Sequence, residues 1–141
     1  DQRVGSSFAC WRTVVWCLMK VAGVLLLIFA MPVVGQTVSA VNGQAIFESR
    51  CMACHSLDVN RVGPALGSVF GRTAGKSPGF EYSKALASAT HVWNRDKLLG
   101  WLENPEAVVP GQGMGYRVEL SADRLDVVAY LASLSVKDVS K

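Results

Sequence analysis

Cys51 and Cys54 stand three positions apart and His55 follows directly, in the run Cys51-Met52-Ala53-Cys54-His55. At the end of a helical turn, thiols so spaced can both reach the vinyl groups of one porphyrin and form thioethers. The adjacent histidine then falls under the iron and supplies a nitrogen ligand. The spacing therefore points to covalent haem attachment. Other chemistries fit less well. A structural zinc site needs four protein ligands, and the remaining candidates are Cys10 and Cys17, in an apolar N-terminal stretch, and His91. A thioredoxin-like dithiol would want a strand before it in a βαβ unit, and no strand pattern appears.

A haem iron held by one histidine needs a second ligand or keeps an open site. Met114, Met52, His91, a lysine and water are the candidates. Met52 lies inside the attachment turn and does not reach across the ring. His91 is expected on a surface loop, as histidines often are. Met114 comes 59 positions after His55, between Gly113 and Gly115 and shortly after Pro110-Gly111. Glycines let a loop take unusual dihedrals and approach a ligand closely, and a methionine in such a loop has no helical face to fill.

The elements that must carry these residues read as helices. Asn42 to Ala53 is expected to be one helix capped by Asn42, with Gly43, Ile46 and Phe47 on one face. Residues 56–82 are punctuated by Gly63-Pro64, Gly67, Gly71, Gly75 and Pro78-Gly79, and such a loop makes sense wrapped on a ligand. Ser83 to Ser88 forms a short helix. Asn94 caps a helix that Asn104-Pro105 stops. Ser121 caps a final helix to Leu134, whose apolar stripe of Leu125, Val128, Ala129 and Ala132 is widened by Val127, Tyr130 and Leu131.

The first forty residues differ from the rest. Val21 to Val34 is apolar apart from Gly23 and Pro32, Lys20 precedes it, and Val38 and Ala40 occupy the −3 and −1 places of a cleavage site. This is the pattern of a secretory signal. Met19-Lys20 would be an ordinary start for it, which makes residues 1–18 candidates for translation upstream of the true start. The rival is a retained anchor over residues 13–34, although the unbroken apolar run is short of the roughly 20 residues a span needs. The expected division is thus residues 1–40, signal or anchor, and residues 41–141, one small domain. The whole chain carries a formal charge of +3, and residues 41–141 hold eleven basic against ten acidic residues. Charge this close to balance implies no nucleic-acid surface.

With CMACH at 51–55, Gly63-Pro64 after it and Pro110-Gly-x-x-Met114 further on, the chain resembles a class I cytochrome c over residues 42–135. The resemblance implies an all-α, compact cytochrome c fold, with three main helices, short helices and loops wrapped around one covalent haem c. It implies that Gly43 and Phe47 meet the last helix near Tyr130, and that the Pro64 carbonyl accepts a hydrogen bond from His55. By position, Arg72, Tyr82 and Trp93 are similar to the residues that hold the haem propionates. Met114 matches the axial ligand and Tyr116 the aromatic that shields the haem edge. Gln112 and Gly113 depart from the threonine and lysine common in that loop, Leu86 replaces an asparagine, and the usual ring of lysines is thin.

The function implied is one-electron transfer through a His55/Met114-ligated haem c, without enzymatic turnover. Such a monomeric protein would shuttle between a donor, such as a quinol-oxidising complex or a dehydrogenase, and an acceptor, such as an oxidase or a reaction centre. A bacterial export signal would place it in the periplasm; a retained anchor would tether it there. The alternative is a haem-based ligand binder or peroxidase-like protein, which requires Met114 to leave the iron.

Overall fold

The computed structural model describes residue 35 and residues 37–138, with side-chain surroundings through residue 135. Cys10, Cys17, the apolar run 21–34 and the last three residues lie outside these. All the described residues but Gly35 belong to one unit, Gln36–Lys141.

The first helix, α1, spans Ala40–Ile46. Its cap is Ser39 rather than the expected Asn42: Ser39 Oγ accepts from Asn42 N at 3.2 Å and Ser39 O from Gly43 N at 3.0 Å. Ser39 and Ala40, assigned from sequence to the leader side of the domain boundary, thus belong to the fold. After Ile46 the helix widens into a π-helical turn, Phe47–Cys51. There Met52 N donates to Phe47 O at 3.2 Å, while the Ser49 hydroxyl donates to the carbonyls of Ala45 and Ile46. A serine hydroxyl competing for carbonyls inside a helix favours such departures from regular bonding.

Long loops follow, tied by single backbone bonds. Among the described residues there is no strand, only an isolated antiparallel bridge between Thr73 and Val92. Helix α2, Lys84–Ala87, is capped by Ser83. Helix α3, Arg95–Glu103, is capped by Asn94, whose Oδ1 accepts from Lys97 N at 2.9 Å. Proline ends α3 as expected, yet the same residue also opens a short helix α4, Pro105–Val108, where the sequence predicts only a stop. Proline suits the first helical position because its missing N–H would lack a partner there anyway. The last helix, α5, spans Ser121–Asp138. Ser121 is its first residue and not its cap, since Arg124 N already donates to Leu120 O.

Helices α1 and α5 cross at Gly43. A Cβ on that residue would lie 1.9 Å from the Asp126 carbonyl oxygen, so only glycine permits this approach. Phe47 and Tyr130 pack beside it with ring centroids 5.6 Å apart. Arg50 and Asp123 pair at 2.8 Å on the rim of the same contact. Arg124 joins the start of α5 to α3 through Glu103 at 3.0 Å and to the intervening strap through Val118 O at 2.7 Å. Phe47, Leu98, Trp101, Leu102, Val127 and Leu131 are buried. Instead of filling the centre, all six line a cavity.

Candidate haem site

That cavity measures about 740 Å³, within the range typical of ligand sites. Cys51, Cys54 and His55 line it, and both cysteines are free thiols. Burial pushes the Cys51 thiol above its ordinary pKa, with Arg50 opposing. That is the reverse of what an activated redox thiol requires. His55 Nδ1 lies 2.8 Å from Pro64 O. A carbonyl only accepts, so Nδ1 carries a proton, and in the neutral ring Nε2 is then the nitrogen with the lone pair a metal binds. Gly63 presses on the same ring: a Cβ there would sit 2.2 Å from His55 Cε1. Gly63 N also donates to Cys54 O at 2.8 Å, closing the loop behind the histidine.

Met114 lines the cavity from the loop between α4 and α5. Its sulfur accepts a hydrogen bond from Trp101 Nε1 at 3.1 Å. Its backbone N–H donates to Gln112 Oε1. Gln112 in turn reaches Glu106 Oε2 at 3.5 Å, and Glu106 Oε1 accepts from Gly111 N at 2.8 Å. Gln112 and Gly111 thus tie the loop that carries Met114 to Glu106 of α4. The left-handed glycine of this loop is Gly111, with φ +83°, and not Gly113 or Gly115, which stand in open space. Trp101 is a functional residue that the sequence motifs do not mark; its indole donor, thirteen residues before Met114, is the one signal there.

Arg72, Tyr82 and Trp93 all reach the cavity wall. Arg72 donates to Ala65 O at 2.9 Å and to Ser68 Oγ at 3.3 Å. Burial lowers its pKa, with Tyr82 acting in the opposite direction. The Tyr82 oxygen accepts from Ser77 N at 3.2 Å, leaving its own proton to donate. Trp93 is buried, with its ring centroid 5.1 Å from that of Trp101. Tyr116 stands at the mouth and is 43% exposed. Leu86 adds an apolar wall where the family pattern has an amide.

His91 corrects one expectation. It is half-buried and meets the Trp93 ring edge-on at 4.5 Å. Its Nε2 is buried without a hydrogen-bond partner. It does not line the cavity, so it is not a ligand candidate, and although it lies on a loop its ring is only partly exposed.

Two thiols, a bare imidazole nitrogen, a thioether sulfur, apolar walls and a few donors suited to carboxylates together fit a haem. The family pattern described as cytochrome c matches residues 40–135. The chain belongs to the cytochrome c family. It is 45% identical to cytochrome c of Euglena viridis over 98 residues, which cover 67% of this chain and 96% of that one. It is 40% identical to cytochrome c2 of Rhodopila globiformis, covering 67% and 92%. The solved structure of cytochrome cH from Methylobacterium extorquens superposes with a TM-score of 0.64 at 34% identity, covering 67% of this chain and 98% of that one. Like other cytochromes c, this chain carries one covalent haem c and transfers electrons rather than transforming a substrate.

Proposed function

We propose that Cys51 and Cys54 would anchor the haem by thioether bonds and that His55 and Met114 would hold its iron. The observation that carries this is the sharing of one apolar cavity by the thiols, the oriented His55 and the hydrogen-bonded Met114. When bound, the haem supplies an iron that cycles between ferric and ferrous. The chain's residues set the conditions for that cycle. Pro64 holds the His55 ring and its tautomer, and the Met114 thioether favours the ferrous state. The low-dielectric walls oppose the extra charge of the ferric state. Arg72, Tyr82 and Trp93 offer donors to the propionates, since a buried carboxylate needs them. Tyr116 covers the edge at the cavity mouth.

The alternative, an open-site ligand binder or peroxidase-like protein, needs Met114 to leave. Its bonds to Trp101 and Gln112 argue against that. The ferric protein is expected to show the weak near-infrared sulfur-to-iron band at neutral pH, and the ferrous protein to resist carbon monoxide. Absence of the band together with ready carbon monoxide binding would defeat this assignment.

The chain acts as a monomer that exchanges electrons with redox proteins: a quinol-oxidising complex or dehydrogenase on one side, an oxidase or reaction centre on the other. Val62, Gly113, Gly115 and Tyr116, all exposed at the mouth, form the natural docking patch, and redox encounters are small and weak. Near-neutral charge in residues 41–141 gives little long-range steering. The location is the periplasm, reached through the N-terminal leader, with an anchor over residues 13–34 as the other form of the same reading. The bacterial relative named cytochrome c2 supports it.

A further inference from the structure

We propose that the leader is cut between Gly35 and Gln36, and not after Ala40. The inference rests on the exported reading above and goes beyond it by placing the scissile bond. Three sites after the apolar run put a small residue at −1 with a tolerated residue at −3: Val38/Ala40, Thr37/Ser39 and Val33/Gly35. The folded domain distinguishes them.

Ser39 makes three bonds that a cut after Ala40 would remove. Its hydroxyl accepts from Asn42 N at 3.2 Å and its carbonyl from Gly43 N at 3.0 Å. Its own N–H donates to Asp126 Oδ1 at 2.7 Å, across to α5. The same cut would delete Ala40, the first residue of a helix only seven residues long. It would also leave a new ammonium at the positive end of that helix, where the dipole disfavours it. All of this falls at the α1–α5 crossing, where Gly43 lies against the Asp126 backbone. Gly35, in contrast, is exposed, and a Cβ added to it would meet nothing within 4 Å. Thr37 and Val38 are exposed as well and serve as spacer ahead of the cap. The step is hydrolysis by the membrane protease of the export route. Water adds across the Gly35–Gln36 amide, leaving a carboxylate on Gly35 and an amine on Gln36.

The test is intact mass and N-terminal sequencing of the holoprotein exported from a bacterium expressing the full chain. The expected mature start is Gln36, whether its amine is free or has cyclised with loss of ammonia. A start at Val41 or at any other residue, or a retained leader, overturns the proposal. Paired variants add a second readout. Gly35→Leu is expected to abolish processing at this bond, and Ala40→Leu to leave the Gln36 start unchanged; the reverse pattern overturns it. The optical spectrum reports haem ligation independently of the N-terminus, so failure here is distinguishable from failure of the carrier assignment.

Discussion

Trp101 joins the cavity wall to the methionine loop. Its indole N–H points at the Met114 sulfur from 3.1 Å. With Met114 as the proposed iron ligand, a donor on its thioether would withdraw electron density from the sulfur that supports the ferric state, and so would raise the potential. A hydrogen bond has a net worth of about 1 kcal/mol, and about 1.4 kcal/mol corresponds to 59 mV for one electron, so the effect has a ceiling of about 40 mV. Trp101→Phe, which keeps an aromatic wall, is expected to lower the midpoint potential by up to that amount, measured by redox titration. An unchanged or higher potential would show that the indole only packs. His91 offers a second residue-scale test. Burial, assisted by Lys97, lowers its pKa in the fold, while an unfolded histidine titrates near about 6.5. The unfolded chain therefore takes up the proton first. The stability due to neutral His91 is fully present above about pH 6.5 and is lost as pH falls through the folded-state pKa. His91→Gln is expected to flatten the decline in denaturant stability between about pH 7 and 5; parallel curves for the two proteins would exclude the effect.

At the scale of elements, the crossing of α1 and α5 is the joint that closes the chain around its cavity. It brings together residues more than eighty positions apart, Ser39 and Asp126 among them. Gly43→Ala puts a methyl 1.9 Å from a carbonyl oxygen that belongs to helix backbone and has no easy retreat. The helices must separate, and overpacking of this kind costs about 3 kcal/mol, at the upper end of ordinary single substitutions. Denaturation of the Gly43→Ala holoprotein is expected to show that loss while the optical spectrum keeps its ligand band, because neither His55 nor Met114, the proposed ligands, sits on the crossing. Loss of less than about 0.5 kcal/mol, the range of surface substitutions, would mean the approach is looser than the geometry indicates.

For the whole molecule, the dominant fact is that the core is built around a cavity. Phe47, Leu98, Trp101 and Leu131 present side chains to it from three helical segments, and residues 56–82 contribute loops without a helix of their own. A small domain buries a limited fraction of its surface even when its centre is filled. Without the haem, that centre has few partner atoms for its lining. A Cys51→Ala, Cys54→Ala protein purified free of haem is therefore expected to lose most of its far-ultraviolet helical signal. Retention of native-like helicity in that protein would mean that the α1–α5 contact suffices without the cofactor.

CMACH, Gly63-Pro64 and the methionine loop were legible in the sequence because they are local: each is a handful of adjacent residues whose spacing is itself the chemistry. The helical segments around α1, α2, α3 and α5 were legible through their apolar period and their punctuation, although Ser39 displaced Asn42 as a cap and α4 went unread. The capping atoms at these ends become decidable only when the backbone path is known. Other features came from tertiary structure alone. The indole bond to Met114, the Gln112–Glu106 brace, the burial of His91 and the reach of Ser39 to Asp126 all join residues whose separation carries no periodic signal. Only the folded chain brings their atoms within hydrogen-bonding or packing distance. The identity of the cofactor site was written in neighbouring residues, whereas the tuning of that site and the place where the domain begins depend on contacts that folding creates.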